Sequence, residues 1–251
     1  MIIFLLLLFA WRPPDSSPIP SSSRQLVLVL TPAYRTTQGF LFKFQRDKTV
    51  SNWQAVESAI PIVIGRAGMG WGEGLHESVP ASRPVKREGD GRSPAGIFNL
   101  SAAFGFPARQ ELEPLHFPYL QITAALECVD DSASEHYNTL VDRQKLGASA
   151  WHSSEKMIQA KIEYHLGVFV DHNLDLRRPG FGSCIFLHVW SAPENPTIGC
   201  TAMAGNEMEK IIKWLDAKAA PVLVQLPLEE YARLRSAWQL PEAAWPEKSV
   251  K

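Results

Sequence analysis

The sequence predicts a mainly β protein with supporting helices. Two observations carry this expectation. Short runs rich in β-branched and aromatic residues recur along the chain, and the clearest of them alternates apolar and polar residues as a half-buried strand does. Only one stretch shows a clear apolar stripe at helical spacing. The 251 residues suffice for one large core or two small ones, and 45% apolar with 20% charged residues are ordinary globular proportions.

The elements follow in order. "MIIFLLLLFAW" is an apolar run with the length of a signal-peptide h-region, about half of what a bilayer core needs, and "RPPDSSPIPSSSR" leads away from it as a linker. No Lys or Arg precedes the run and no small-x-small site follows it. Export is the expectation, with a buried strand as the rival. "QLVLVLTP" reads as a strand, "GFLFKFQRD" as a half-buried strand, and "AIPIVIGRAG" as a short apolar run stopped by glycines. "GMGWGEG" fits neither a dinucleotide fingerprint nor a P-loop and reads as a flexible turn. "KREGDGRSPAGIFNL" is a charged loop entering a strand, and "GVFVDHN" and "GSCIFLHVW" are β-like. "GNEMEKIIKWLDAKAAP" is the clear helix. Met208, Ile211, Ile212 and Leu215 form its apolar stripe, Asn206 and Glu209 offer a capping box, and Pro221 ends it. "VLVQLP" returns as a strand, and the last residues read as a loose tail.

A net charge of -1 disfavours nucleic acid, which needs clustered Lys and Arg to neutralise phosphates. The three cysteines are Cys128, Cys184 and Cys200. An odd number in an exported chain suggests one pair and one free thiol. Counting favours Cys128–Cys184 but leaves Cys184–Cys200 open.

"FLHVWSAPENPTIGCTAMAG" carries the chemistry. A nucleophilic thiol needs activation, a base within reach, and backbone N–H groups aimed at the developing oxyanion. Gly199 permits a sharp turn at Cys200, so that the amides near both can donate, and His188 ends an apolar strand that presents its ring rigidly. Buried free cysteine is otherwise a small hydrophobe, and generic Cys/His spacing does not by itself decide between these readings. A metal site from Cys184, His188, Cys200 and His172 is conceivable but does not match short ligand spacings and is disfavoured.

These residues are similar to the L,D-transpeptidase catalytic domain (YkuD-like, ErfK/YbiS-type). That signature is a His, a loop, then Ser/Thr-x-Gly-Cys, filled here by His188, Thr197, Gly199 and Cys200. "EGDGRSPAGIF" resembles the upstream Ser/Thr-Pro-x-Gly-x-Phe element through Ser93, Pro94, Gly96 and Phe98, and "ECVDDSASEHYN", "VDHN" and "GSCIFLHVW" resemble the envelope branch. The resemblance implies a β-sandwich of mixed sheets. It implies an enzyme whose thiolate attacks peptidoglycan stem peptides, passing through a thioester to a cross-link or a carboxypeptidase product. It also implies that no metal and no cofactor are needed. The implied catalytic set is Cys200, His188 and Gly199. Thr197, Trp190, His172, Asn173 and Arg92 are the candidate substrate contacts, although a hydrogen-bonded core pair fits His172 and Asn173 about as well. With Cys200 in use, Cys128–Cys184 becomes the expected disulfide. The expected organisation is residues 1–24 as signal and linker, 25–226 as the catalytic domain and 227–251 as an extension. The His–Cys loop is shorter than usual, Ile198 stands where many members carry a second His, and Ala202 where many carry an Arg. Those departures keep an inactive envelope-binding protein of the same fold as the alternative.

Overall fold

The computed structural model describes residues 17–47, 52–77, 82–146 and 151–246. The apolar run at the N-terminus lies outside them. Among the described residues, fourteen strands and three α-helices follow one another. The first strands are β1 (Gln25–Thr31), β2 (Gln38–Gln45), β3 (Gln54–Ala55), β4 (Ile60–Val63), β5 (Met69–Trp71) and the long β6 (Ser93–Gly105). Then come β7 (Tyr119–Gln121), β8 (Leu126–Cys128), β9 (Leu140–Asp142), α1 (Arg143–Leu146), β10 (Glu155–Lys156), β11 (Leu166–Val170), β12 (Phe186–Val189) and β13 (Thr201–Met203). The chain ends with α2 (Gly205–Trp214), β14 (Val222–Pro227) and α3 (Leu228–Leu234).

The main sheet runs β1-β14-β6-β11-β12-β13-β4-β2, and β2 also pairs with β1. The eight strands therefore close on themselves as a barrel-like sheet, where the resemblance implied a sandwich. The closure turns on β1, which pairs parallel with β14 (Leu26 opposite Val222) and antiparallel with β2 (Leu26 opposite Phe44). Both edges of β1 are used, so no free edge remains there. Its unbroken apolar run marks a strand buried on both faces, and every residue of β1 and β14 is buried. Helix α3 packs against these two strands. A separate three-stranded sheet, β10-β8-β9, stands beside the barrel.

Two local expectations change. The "GMGW" stretch is not a turn: Met69–Trp71 forms β5, buried and parallel to β6. Helix α2 starts before Asn206, at Gly205 after Ala204, because β13 runs almost directly into it. The capping box does not form; Asn206 donates to Glu207, and Glu209 accepts from Lys213. The apolar stripe is as expected, with Met208, Ile211, Ile212 and Leu215 all fully buried.

Residues on both sides of the 25–226 span join the same core. Ile19 is buried in it, the Ser17 hydroxyl donates to the Trp238 carbonyl, and Trp245 meets Phe40 edge-on at 5.0 Å. Among the described residues no helix is long and apolar enough to cross a membrane.

Candidate active site

The parallel pairing of β12 and β13 builds the site. His188 stands opposite Ala202, and Leu187 opposite Thr201. Cys200 immediately precedes β13, two residues from Ala202. Because side chains alternate along a strand, Cys200, Ala202 and His188 fall on one face of the sheet. They line a single cleft of about 230 Å³ together with Glu155, Glu163, Tyr164, Trp190 and the Thr197–Ile198 lip.

His188 is buried, and its Nδ1 lies 2.7 Å from the Val189 carbonyl oxygen. A carbonyl only accepts, so Nδ1 carries the hydrogen and Nε2 is left with its lone pair. Burial, the largest influence, lowers the imidazole pKa below its ordinary value, against the opposing pull of the Val189 bond. The ring also meets Tyr164 edge-on at 5.6 Å.

Cys200 is a buried free thiol. Its Sγ accepts from the Phe186 N–H at 3.3 Å and faces the Cys184 carbonyl at 3.7 Å, to which the S–H donates. Burial first, and then the charge of Glu155, push its pKa up to about 12. The resting pair is thus a neutral thiol and a neutral imidazole.

The turn before the thiol is held by hydroxyls. Thr197 Oγ1 accepts from the Gly199 N–H at 3.1 Å and donates to the Cys200 carbonyl at 2.6 Å. Ser93 Oγ donates to the same carbonyl at 2.9 Å and accepts from the Gly65 N–H. The Gly199 N–H, expected as one of two oxyanion donors, is thereby spent on Thr197 in this state.

A model of the L,D-transpeptidase catalytic domain (YkuD) matches residues 33–224. The chain belongs to the L,D-transpeptidase catalytic-domain family. No curated protein and no solved structure matches it.

In this L,D-transpeptidase-family chain, the structure brings Cys200, His188, Thr197 and Trp190 to one cleft and keeps other candidates apart. His172 is fully buried elsewhere. Its Nδ1 accepts from the Glu73 N–H at 3.2 Å and its Nε2–H donates to the Phe181 carbonyl at 2.9 Å. Burial lowers it to about 4. Asn173 ties its own loop, donating to the Arg178 and Gly182 carbonyls. These are the hydrogen-bonded core residues of the blander reading, and neither lines the cleft. The Arg92 guanidinium is held by the Met69 carbonyl at 2.9 Å and does not line it either. Gly199 lies behind the thiol, where a Cβ would come within 3.3 Å of the Arg92 carbonyl oxygen.

Cys128 and Cys184 form the disulfide, with Cα atoms 6.0 Å apart. Among the described residues no group of three His, Cys, Asp or Glu is arranged to hold a metal ion.

Two cleft residues, Glu155 and Tyr164, carry no signal in the sequence. Glu155 Oε2 accepts the Tyr164 hydroxyl at 2.6 Å. Burial, helped by the nearby charges of Asp130 and Glu88, raises Glu155 to about 7. Tyr164 in turn is raised well above a phenol's ordinary value, first by burial and then by the charge of Glu155.

Proposed function

We propose that the protein is a cysteine-dependent L,D-transpeptidase acting on peptidoglycan stem peptides, with Cys200 as nucleophile and His188 as base. One observation carries the reading: the β12–β13 register sets Cys200 and His188 on one face of a cleft while Val189 commits Nδ1. As Sγ attacks the stem carbonyl, Nε2 takes its proton. The tetrahedral centre collapses, the C–N bond breaks, and the imidazolium returns the proton to the departing D-alanine amine. The thioester then passes its acyl group to an amine of a neighbouring stem, giving a cross-link, or to water.

We place this chemistry in the cell envelope. A Cys128–Cys184 bridge suits an oxidising compartment, and the apolar N-terminal run suits export.

One observation favours the other reading, an inactive stem-peptide-binding protein of the same fold. The thiol is buried and hydrogen-bonded to the backbone on both sides, with a strongly raised pKa. Exposure to a carbapenem followed by intact mass measurement separates the two. A stoichiometric adduct mapped to Cys200 supports the enzyme, and folded protein without one supports the binding module.

A further inference from the structure

Two carboxyl groups line the candidate active cleft, Glu155 and Glu163, and neither Lys nor Arg lines it. Lys156, next to Glu155 in the chain, and Lys161, two residues before Glu163, are both exposed and do not line it. Glu155 stands out when set against Glu127 on the adjacent strand β8. Glu127 is fully partnered: Arg143 donates to both its oxygens at 2.7 Å, and Trp151 and Ser154 donate as well. Glu155 has the Tyr164 hydroxyl on Oε2, and among the described residues no Lys, Arg or His forms an ion pair with it. The charges that act on it are those of Asp130 and Glu88, and Lys86, a cation that acts on the neighbouring Cys200, is itself paired with Asp90 at 2.6 Å. A half-buried carboxyl held without a cation costs stability unless something positive arrives.

We propose that Glu155 receives the ammonium group of the amine that accepts the acyl group from Cys200, and so selects an amine over water. The inference rests on the reading of Cys200 as nucleophile given above. Its chemistry balances. The incoming ammonium gives one proton to the Glu155 carboxylate, which later releases it to solvent. The freed amine attacks the thioester carbon, a C–N bond forms and the C–S bond breaks. His188 Nε2 takes a second proton from the nitrogen and returns it to the leaving Cys200 sulfur. The third hydrogen remains on the new amide.

Before acylation the negative charge of Glu155 works against a thiolate on Cys200. The resting thiol and the thioester are both uncharged, so the carboxylate faces no negative sulfur in either state and is open to a cation. Tyr164 holds Oε2, and among the described residues no hydrogen bond occupies Oε1, which can meet the ammonium.

The test is calorimetric titration of the full chain with Nα-acetyl-lysine amide, which has a free ε-amine, and with its Nε-acetylated twin. The expected result is that wild type binds the free amine at least about tenfold more tightly than the twin, as a charge-assisted contact provides. Glu155→Gln abolishes the difference, and Glu155→Asp keeps part of it. Equal binding of the two probes to wild type, or free-amine binding undiminished in Glu155→Gln, overturns the proposal. If Glu155→Gln does not fold, the Glu155 carboxyl ¹³C resonance of wild type decides instead: it shifts with the free amine and not with the twin, and the opposite result overturns the proposal. Carbapenem acylation of the same wild-type sample reads the parent proposal separately. Glu155-dependent amine binding without a Cys200 adduct keeps the ammonium site and removes acyl transfer. An adduct with Glu155-independent amine binding does the reverse.

Discussion

Glu155 stands opposite Cys128 across the β10–β8 ladder. Cys128 is bonded to Cys184, four residues before His188. The disulfide therefore couples the two walls of the cleft, the small sheet that carries Glu155 and the barrel strand that carries His188. The closed loop spans 56 residues, for which the chain-entropy account gives a stabilisation of about 4 kcal/mol. Cys128→Ser with Cys184→Ser is expected to lower the unfolding free energy by roughly that amount. Urea unfolding monitored by tryptophan fluorescence checks it. A loss near zero shows that the bridge does not constrain the chain.

Glu127 braces the same small sheet. It is buried, and the Arg143 guanidinium, with Ser154 and Trp151, holds its carboxyl down at about 2. Its folded pKa lies below the ordinary carboxylate value. Its contribution is thus complete above about pH 4.5 and is lost as pH falls through 2. Glu127→Ala is expected to cost about 1–3 kcal/mol at pH 7, because it removes the buried carboxylate that accepts from Arg143, Trp151 and Ser154. At pH 2 the variant and wild type should converge. A gap in melting temperature that stays constant from pH 7 to pH 2 contradicts this account.

The sequence made the cysteine–histidine half of the site legible and hid the carboxyl half. Cys200 and His188 sit on consecutive strands joined by one loop, so a local reading reaches both. The disulfide followed from a count of three once Cys200 was assigned. Glu155 and Tyr164 reach the cleft only through β10–β8 pairing and a turn before β11, and strands of two or three residues leave no periodic signal. Barrel closure was equally hidden, since it depends on β1 meeting both β2 and β14, and β14 lies nearly 200 residues away. His172 and Asn173 lie beside apolar strand residues in a motif-like "VDHN", yet their polar atoms are spent on the backbone of neighbouring loops.

His188 and His172 should separate cleanly. His188→Ala is expected to slow thiol acylation by about 10²–10⁴-fold, the usual contribution of a proton-transfer group. His172→Ala lies outside the cleft and should lower the melting temperature while leaving acylation per folded molecule unchanged. Stopped-flow acylation and thermal unfolding on both variants check this. If His172→Ala slows acylation and His188→Ala does not, the assignment of the base is wrong.

His172 also predicts an acid response. Burial lowers it from an ordinary 6.5 to about 4, so the unfolded chain binds the proton first as pH falls. Its contribution to stability is present above about pH 6.5 and disappears by about pH 4. His76, lowered to about 4, acts in the same direction, and Asp171 and Glu155, raised to about 6 and 7, oppose it. His172→Gln isolates the one group. Its melting temperature should fall less steeply than that of wild type between pH 6.5 and 4. Parallel curves exclude His172 as a buried neutral ring.

Thr197 ties the turn that presents the thiol. Thr197→Val removes the hydroxyl that links the Gly199 N–H to the Cys200 carbonyl, leaving only Ser93 on that oxygen. A stability loss of about 1–2 kcal/mol is expected, with acylation slowed beyond what unfolding explains. Acylation at the wild-type rate means that the turn is held without Thr197.

The central claim is that Cys200 attacks an acyl donor with help from His188. Intact mass measurement of the folded, disulfide-bonded protein after carbapenem treatment tests it most directly. The account predicts one adduct per chain, mapped to Cys200, absent in Cys200→Ala and slow in His188→Ala. Folded wild-type protein that gains no adduct, or an adduct that survives Cys200→Ala, contradicts it.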